Sequence, residues 1–170
     1  MLAYFLIFLG AALRVIPHPA NFAPIAAIGL FGGVYLSRTQ AIVLPLVAML
    51  VSDFFIGFDS LQTRLVVYGS ILLSSLIGIW VRKHKNLFTV AGGSVLGSTL
   101  FFLITNCVIF YSTAMYPHTL GGQLVSYTNA LPFFGNTLAG DLVYTALFFG
   151  IYEAVAVWQA KYAYAHNHQS

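Results

Sequence analysis

Charged side chains are scarce in this chain of 170 residues. Lysine, arginine, aspartate and glutamate make up 6% of it, whereas hydrophobic residues make up 59%. A soluble domain carries roughly 25% charged residues, so this chain cannot cover a globular surface with polar groups. The formal net charge of +3 comes from basic residues that mostly flank apolar segments. That placement favours a membrane-orientation signal and argues against a nucleic-acid partner.

Cysteine is nearly absent, and the motifs of several enzyme classes are missing. Cys107 is the only cysteine, which excludes an internal disulfide and a cysteine-based metal cluster. The sequence has no Gly-x-Ser-x-Gly elbow and no Walker phosphate-binding loop. The five histidines do not occur at metal-ligand spacing with acidic residues. We therefore expect no enzyme, no metal site and no resident cofactor, and energy for any transport must come from partner subunits or a gradient.

Apolar segments recur along the whole chain. A helix that crosses hydrocarbon about 30 Å thick needs about 20 residues. The pattern predicts an all-α, polytopic membrane protein, a bundle of about six transmembrane helices in a single domain over residues 1–163, with a polar tail over residues 164–170. The predicted helices are approximately Leu2–Ile16, Ile25–Leu36, Ala41–Ile56, Thr63–Val81, Leu87–Met115 and Thr137–Tyr162.

The distribution of basic residues predicts the orientation of this bundle. With a cytoplasmic N-terminus, five basic residues face the cytoplasm and two face outward, in line with the positive-inside rule. The predicted connection over residues 116–136 contains no lysine or arginine, as an external loop should. Both termini are therefore expected to be cytoplasmic. The five are Arg38, Arg82, Lys83, Lys85 and Lys161, and the two are Arg14 and Arg64.

Polar side chains gather on the predicted outer half of the bundle. Because polar groups in lipid are costly, their placement is informative. Arg14 would hold an anionic or carbonyl group of a ligand, amide side chains would supply hydrogen bonds, and aromatic rings would stack on a planar ligand. In the alternative interpretation, Arg14 simply pairs with Asp53 or Asp141 and pins the bundle. The predicted substrate-binding residues are Arg14, His18, Asn21, Phe22, Asp53, Asn106, Tyr116 and Asp141.

Two loops have contrasting predicted roles. Loop 1 has three prolines within residues 17–24, which should keep it stiff and extended. A preordered loop loses less entropy when it closes on a ligand. After Gly121 and Gly122, the segment Gln123–Leu131 is predicted to lie along the membrane interface, either as a lid or as filler.

Small residues recur at a spacing of four. In lipid this spacing lets helix backbones approach closely, either within the bundle or against another membrane subunit. The pairs are Ala23 and Ala27, Gly29 and Gly33, Gly93 and Gly97, and Ser94 and Ser98.

Several short runs carry a resemblance to a known family. They begin with Pro-x-Pro-x-Asn-Phe-x-Pro-Ile-x-Ala-Ile over residues 17–28. The others are Leu30-Phe31-Gly32-Gly33, Pro45 with Ser52-Asp53, Phe101-Phe102-Leu103-Ile104-Thr105-Asn106, Met115-Tyr116-Pro117 and Leu131-Pro132-Phe133-Phe134. Together they resemble a branch of transport proteins similar to the S components of energy-coupling factor (ECF) transporters.

This resemblance implies a substrate-binding subunit in the bacterial cytoplasmic (inner) membrane. S components capture a vitamin or related micronutrient from outside, and dock to a transmembrane coupling subunit and two ATPases. They usually carry an Ala-x-x-x-Ala pattern in the first helix, where this chain has Gly10, Ala11 and Ala12. Two alternatives remain open: the chain docks to an ECF module, or it acts alone.

Two other functions compete with uptake. One is an intramembrane enzyme that uses Asp53, His18 or Asp141 as acid or base, which would need two titratable groups beside one substrate position. The other is a small ion-coupled carrier that works as an oligomer, in which Asp53 or Asp141 would be essential without any organic ligand.

Overall fold

The computed structural model describes residues 1–112 and 114–167, and within these ranges the fold is entirely helical. A short 3₁₀ turn, Arg82–His84, follows the fourth of the six α-helices found there. The α-helices are α1 (Leu2–Leu13), α2 (Ile25–Tyr35), α3 (Arg38–Ile56), α4 (Leu61–Val81), α5 (Leu87–Ser112) and α6 (Leu120–Asn167).

The helices fall into two length classes. In the described part of the chain, α3, α4, α5 and α6 are each long and apolar enough to cross a membrane. Four helices of this length and composition are compatible with a multi-pass membrane protein. By contrast, α1 has 12 residues and α2 has 11. At 1.5 Å per residue they extend only about 18 and 16 Å, roughly half of a hydrocarbon layer.

The short helix α2 lies at the centre of the bundle, with residues 26–34 all buried. Glycines allow α4 to approach it closely, because a Cβ on Gly33 would lie 2.6 Å from the Cα of Gly78. A Cβ on Gly29 would lie 2.6 Å from the carbonyl oxygen of Ile71. At these two positions the four-residue spacing therefore serves packing within the bundle. This was one of the two interpretations of the spacing, the other being contact with another membrane subunit.

The N-terminus of α2 is capped by a carboxylate from another helix. The Asp141 Oδ1 atom accepts hydrogen bonds from the backbone N–H groups of Ala26 and Ala27 at 3.0 and 3.1 Å. The N–H groups of Ile25 and Ile28 donate to local carbonyls. Because Pro24 at the N-cap has no N–H, every N–H group in the first turn of α2 thus has an acceptor. The carboxylate also lies at the positive end of the helix dipole.

The C-terminus of α2 is capped by a cation in the same manner. The Arg82 Nε atom donates to the carbonyl oxygen of Gly33 at 3.0 Å, and its guanidinium also donates to the carbonyl of Leu36. A positive charge there complements the negative end of the dipole. Two side chains of opposite sign, from distant parts of the sequence, therefore hold α2 in place.

The two ends of the bundle differ in charge. Beside the capping Arg82, the carboxylate of Glu153 accepts hydrogen bonds from the Tyr35 hydroxyl and the Lys85 ammonium. Lys85 also lies over the Tyr35 ring, 5.1 Å from its centroid. We call this the basic end, defined by Arg38, Arg82, Lys83, Lys85 and Glu153. The opposite end contains the last turn of α3 and the first turn of α4.

The loop predicted for residues 116–136 is wrong from Leu120 onward. A single helix, α6, begins at Leu120 and continues to Asn167 with Pro132 inside it, so Gln123–Leu131 is neither a loop nor a separate segment. Contacts with α5 stabilise this stretch, because the Tyr127 hydroxyl donates to the Leu103 carbonyl at 2.8 Å. Neighbouring helices commonly make glycine and proline tolerable in membrane helices.

Other boundaries differ less. The fifth helix ends at Ser112 and not at Met115, and the first ends at Leu13. Residues 164–167 of the predicted tail continue α6, while 168–170 lie outside the described residues. The third helix starts at Arg38 because Ser37 and Gln40 form a capping box, each side chain accepting from the other's backbone N–H.

Candidate ligand-binding cavity

A cavity of about 470 Å³ lies at the end of the bundle opposite the basic end. It forms where α1 and α2 are too short to fill the space between the longer helices. Its volume falls within the range of small-molecule pockets, roughly 300–1,000 Å³. Its polar lining consists of Arg14, Asn21, Asp53, Asp59, Thr63, Arg64, Tyr68, Thr105, Asn106 and Thr137. Its aromatic lining, apart from Tyr68, consists of Phe101, Phe102, Phe133 and Phe134.

An ion pair joins Arg14 to Asp53 in the wall of the cavity. The Arg14 Nη1 atom lies 2.9 Å from Asp53 Oδ1, and Arg14 also donates to the hydroxyl of Ser52. The Tyr68 hydroxyl donates to Asp53 Oδ2 at 2.8 Å, so both carboxylate oxygens have partners. The two charged side chains are only 12% and 10% exposed. The structure therefore confirms the pairing that the alternative interpretation of Arg14 predicted.

Loop 1, between α1 and α2, is fixed by a turn and by α6. The Phe22 N–H donates to the Pro19 carbonyl at 2.9 Å, and Asn21 adopts a φ of 62°. Asparagine is among the residues that best tolerate this left-handed conformation. The Asn136 side-chain amide donates to the Ala20 carbonyl at 2.9 Å. The loop is thus held in one shape, although it contains a turn where the prolines predicted an extended chain.

Aromatic rings from α5 and α6 form the apolar side of the cavity. Phe102 packs against Phe134 with ring centroids 4.7 Å apart, and against Tyr127 at 5.6 Å. Asn106, one turn beyond Phe102 on α5, donates to its carbonyl at 2.8 Å. This wall offers ring faces and edges beside amide and hydroxyl groups, an arrangement suited to a planar ligand with polar substituents.

Four of the eight predicted site residues line the cavity, namely Arg14, Asn21, Asp53 and Asn106. Three others lie outside its lining and have other contacts. His18 Nδ1 is 2.9 Å from the Pro19 carbonyl oxygen. The ring of Phe22 packs against Tyr144, and the Tyr116 hydroxyl accepts from Asn129 at 3.4 Å.

The eighth residue, Asp141, is fully buried away from the cavity. Besides capping α2, it accepts a hydrogen bond from the Ser98 hydroxyl at 2.8 Å. Asp53, His18 and Asp141, the three residues that the enzyme hypothesis names, are therefore not gathered around one position. In the part of the chain that the structure describes, no group of three or more His, Cys, Asp or Glu side chains is placed to hold a metal ion.

Sequence reasoning missed two important lining residues of α4. Tyr68 lies inside an apolar helix, where an aromatic residue usually faces lipid or core, so its residue type gives no sign of its role. Arg64 is, from the sequence, only a basic residue on the outer side. Helix geometry offered a signal, since Asp53 lies one turn before the end of α3 and Tyr68 two turns into α4. In a helical hairpin these positions lie about one turn apart in depth, within reach of a tyrosine side chain.

Residues 1–165 match a family described as a family of unknown function, DUF6580. The chain belongs to this DUF6580 family. The match covers every residue that lines the cavity, from Arg14 to Thr137. No curated protein is detectably similar to the chain. No solved structure is detectably similar to the chain either.

Proposed function

We propose that this DUF6580 chain is the substrate-binding subunit of an uptake system for a vitamin or related micronutrient in a bacterial inner membrane. The observation that carries the proposal is the cavity, which combines polar and aromatic side chains at the end of the bundle opposite the basic end. A cavity of about 470 Å³ is large enough for a small organic molecule.

The orientation follows from the basic end. Short segments rich in lysine and arginine stay on the cytoplasmic side of membranes. With Arg38, Arg82, Lys83 and Lys85 in the cytoplasm, the cavity faces outward and both termini are cytoplasmic. In this arrangement α1 and α2 enter the bilayer from the cytoplasmic side, and loop 1 lies at membrane depth. Irregular backbone is tolerated at that depth where it lines a cavity.

The lining defines a class of ligand. Phe101, Phe102, Phe133 and Phe134 suit a planar ring, while Asn21 and Asn106 suit polar substituents. A water-soluble vitamin or its precursor has both features. Because the chain has no ATP-binding motif, transport is energised by an ECF-type coupling subunit with ATPases, or the chain acts alone. An ion-coupled carrier gains no support, because Asp53 is bonded to Arg14 and Asp141 to backbone amides.

A thermal-shift screen of the purified protein in detergent, against water-soluble vitamins and their precursors, tests this proposal. A ligand at a hundred times its Kd stabilises the folded state by about 2.7 kcal/mol. We expect one chemical class to stabilise the protein. Asn106→Ala and Asn21→Gly should abolish the shift, since glycine keeps the backbone conformation of Asn21 while removing its amide.

His18→Ala is the matched control, because His18 lies on the same loop as Asn21 but outside the cavity lining. The shift should persist in this variant. A panel without any stabilising ligand, or a shift that survives both cavity variants, would overturn the proposal.

A further inference from the structure

One residue that lines the cavity, Arg64, has a buried donor atom without a partner. Among the side-chain nitrogen and oxygen atoms that are buried in the described residues, Arg64 Nε alone has no hydrogen bond. Arg64 also lines the cavity. Buried polar groups in native proteins are nearly always paired, since an unpaired one loses its hydration without compensation. Arg64 as a whole is only partly buried and lines the cavity, so an acidic ligand group there would give its guanidinium an acceptor.

The position of Arg64 concentrates positive charge at the cavity. It lies in the first turn of α4, where the helix dipole already presents its positive end. A cation in that turn is repelled by the positive end of the dipole. An anion bound there is attracted by both the dipole and the Arg64 charge. The Arg64 guanidinium lies over the Phe58 ring, 4.9 Å from the centroid. This stacking holds the planar group in one orientation.

The other charges that face the cavity do not neutralise Arg64. Ion pairs among the described residues join Arg14 to Asp53 and Lys85 to Glu153, and Arg64 belongs to neither pair. Asp59 lines the cavity as well, but it is exposed in the loop before α4. Its charge is therefore hydrated and screened, in contrast to the buried Nε of Arg64.

We infer that Arg64 determines specificity by binding an acidic group of the ligand, a carboxylate or a phosphate, while the rest of the ligand lies against the phenylalanine rings. The inference rests on the proposed uptake function. A guanidinium presents its N–H groups in a planar fork that matches both acids, which a lysine ammonium does not reproduce. The neutral amide or alcohol form of the same ligand offers the fork only an uncharged acceptor, so the charge-assisted bond is lost.

Matched acid and neutral ligands test the inference. The probes are nicotinate with nicotinamide, pantothenate with pantothenol, and biotin with biotinamide, titrated calorimetrically against the purified protein. For the pair that binds, the acid should bind at least about tenfold tighter than its neutral form. In Arg64→Gln the acid should weaken about 10- to 100-fold, the range for a lost charge-assisted hydrogen bond. The neutral form should change less than about twofold.

Three further variants sharpen the result. Arg64→Lys keeps the charge without the fork and should fall between wild type and Arg64→Gln. Asp59→Asn removes the nearby negative charge and should leave acid binding equal or tighter. Gln62→Ala changes an exposed side chain on the same turn, outside the cavity lining, and should leave both ligands unaffected.

The outcomes separate this inference from the proposed function. Binding without preference for the acid, or unchanged by Arg64→Gln, overturns the role of Arg64 and leaves the uptake function standing. Absence of binding by every probe and every member of the vitamin panel overturns both. A lipid phosphate is a second source of the same chemistry. If Arg64→Gln changes only the retention of phosphatidylglycerol in nanodiscs and not the preference for the acid, the inference is wrong.

Discussion

Arg14 and Asp53, 39 positions apart in the sequence, form an ion pair of 2.9 Å at the point where α1 gives way to loop 1. The pair connects the end of α1 to the last turn of α3. It fixes the place where the chain leaves α1, and loop 1 then passes beside the cavity to α2. Arg14 is therefore a structural element of the cavity wall as well as a candidate ligand contact.

Breaking this pair from one side should be costly. Both side chains are nearly buried, so Arg14→Met leaves the Asp53 charge uncompensated. Loss of one partner from a buried pair costs about 3–5 kcal/mol. The double variant Arg14→Met/Asp53→Leu removes both charges and should recover much of the loss. Thermal unfolding in detergent measures both effects. If the double variant is as unstable as the sum of its single variants, the two side chains do not act as a pair.

The capping role of Asp141 predicts a stability effect without a binding effect. Asp141→Ala leaves the Ala26 and Ala27 N–H groups without their acceptor, at a cost of about 1–3 kcal/mol for each buried group. Asp141→Asn retains an acceptor oxygen and should cost less. Because Asp141 lies outside the cavity, a ligand found by the thermal-shift screen should bind Asp141→Asn with unchanged Kd. A large loss of affinity in a stable Asp141→Asn protein would contradict this role.

Arg82, which caps the C-terminus of α2, can be compared with its neighbour Lys83. Arg82→Gln removes the guanidinium that bonds the carbonyls of Gly33 and Leu36 and should lower the unfolding temperature. Hydrogen bonds to charged groups contribute about 1.5–3 kcal/mol. Lys83→Gln removes the same charge from the adjacent exposed position and should have little effect on stability. Equal destabilisation by the two variants would show that net charge, and not capping, is what Arg82 provides.

Close contact between α2 and α4 makes Gly33 intolerant of a side chain. In Gly33→Ala, the new Cβ would lie 2.6 Å from the Cα of Gly78, so backbone must shift. We expect a loss of about 1–3 kcal/mol, the usual range for overpacking. In Gly150→Ala, the Cβ meets no atom of the described residues within 4 Å, and the helix propensity of alanine should leave stability unchanged or improved. Detergent unfolding of the pair provides the measurement, and a stable Gly33→Ala would refute the close approach.

Hydrophobic length and spacing predicted the all-helical fold well, because long apolar segments in lipid have few alternatives to helix. The main failure was α6. Gly121 and Gly122 predicted a hinge before a separate interfacial segment, yet contacts of Tyr127 and Phe134 with α5 keep this stretch helical. Such contacts depend on tertiary structure and leave no local pattern in the sequence.

The candidate site was predicted in part for a similar reason. Counting polar residues at the outer half located Arg14, Asn21, Asp53 and Asn106, but depth alone does not determine the direction in which a side chain points. Asp141 lies near the same depth and faces the N-terminus of α2, 115 residues away from Ala26 in the sequence. Only the packing of α6 against α2 distinguishes a structural cap from a ligand contact.

Side-specific labelling tests most directly whether the cavity opens outward and binds a ligand. Ala130 lines the cavity, so Ala130→Cys in a Cys107→Ala background places a single reactive thiol there. A membrane-impermeant maleimide should label it in intact cells, and the ligand identified by thermal shift should slow the labelling. Lys83→Cys, at the basic end, should be labelled only in inverted vesicles. Labelling of Ala130→Cys only in inverted vesicles, or at a rate indifferent to the ligand, would contradict the account.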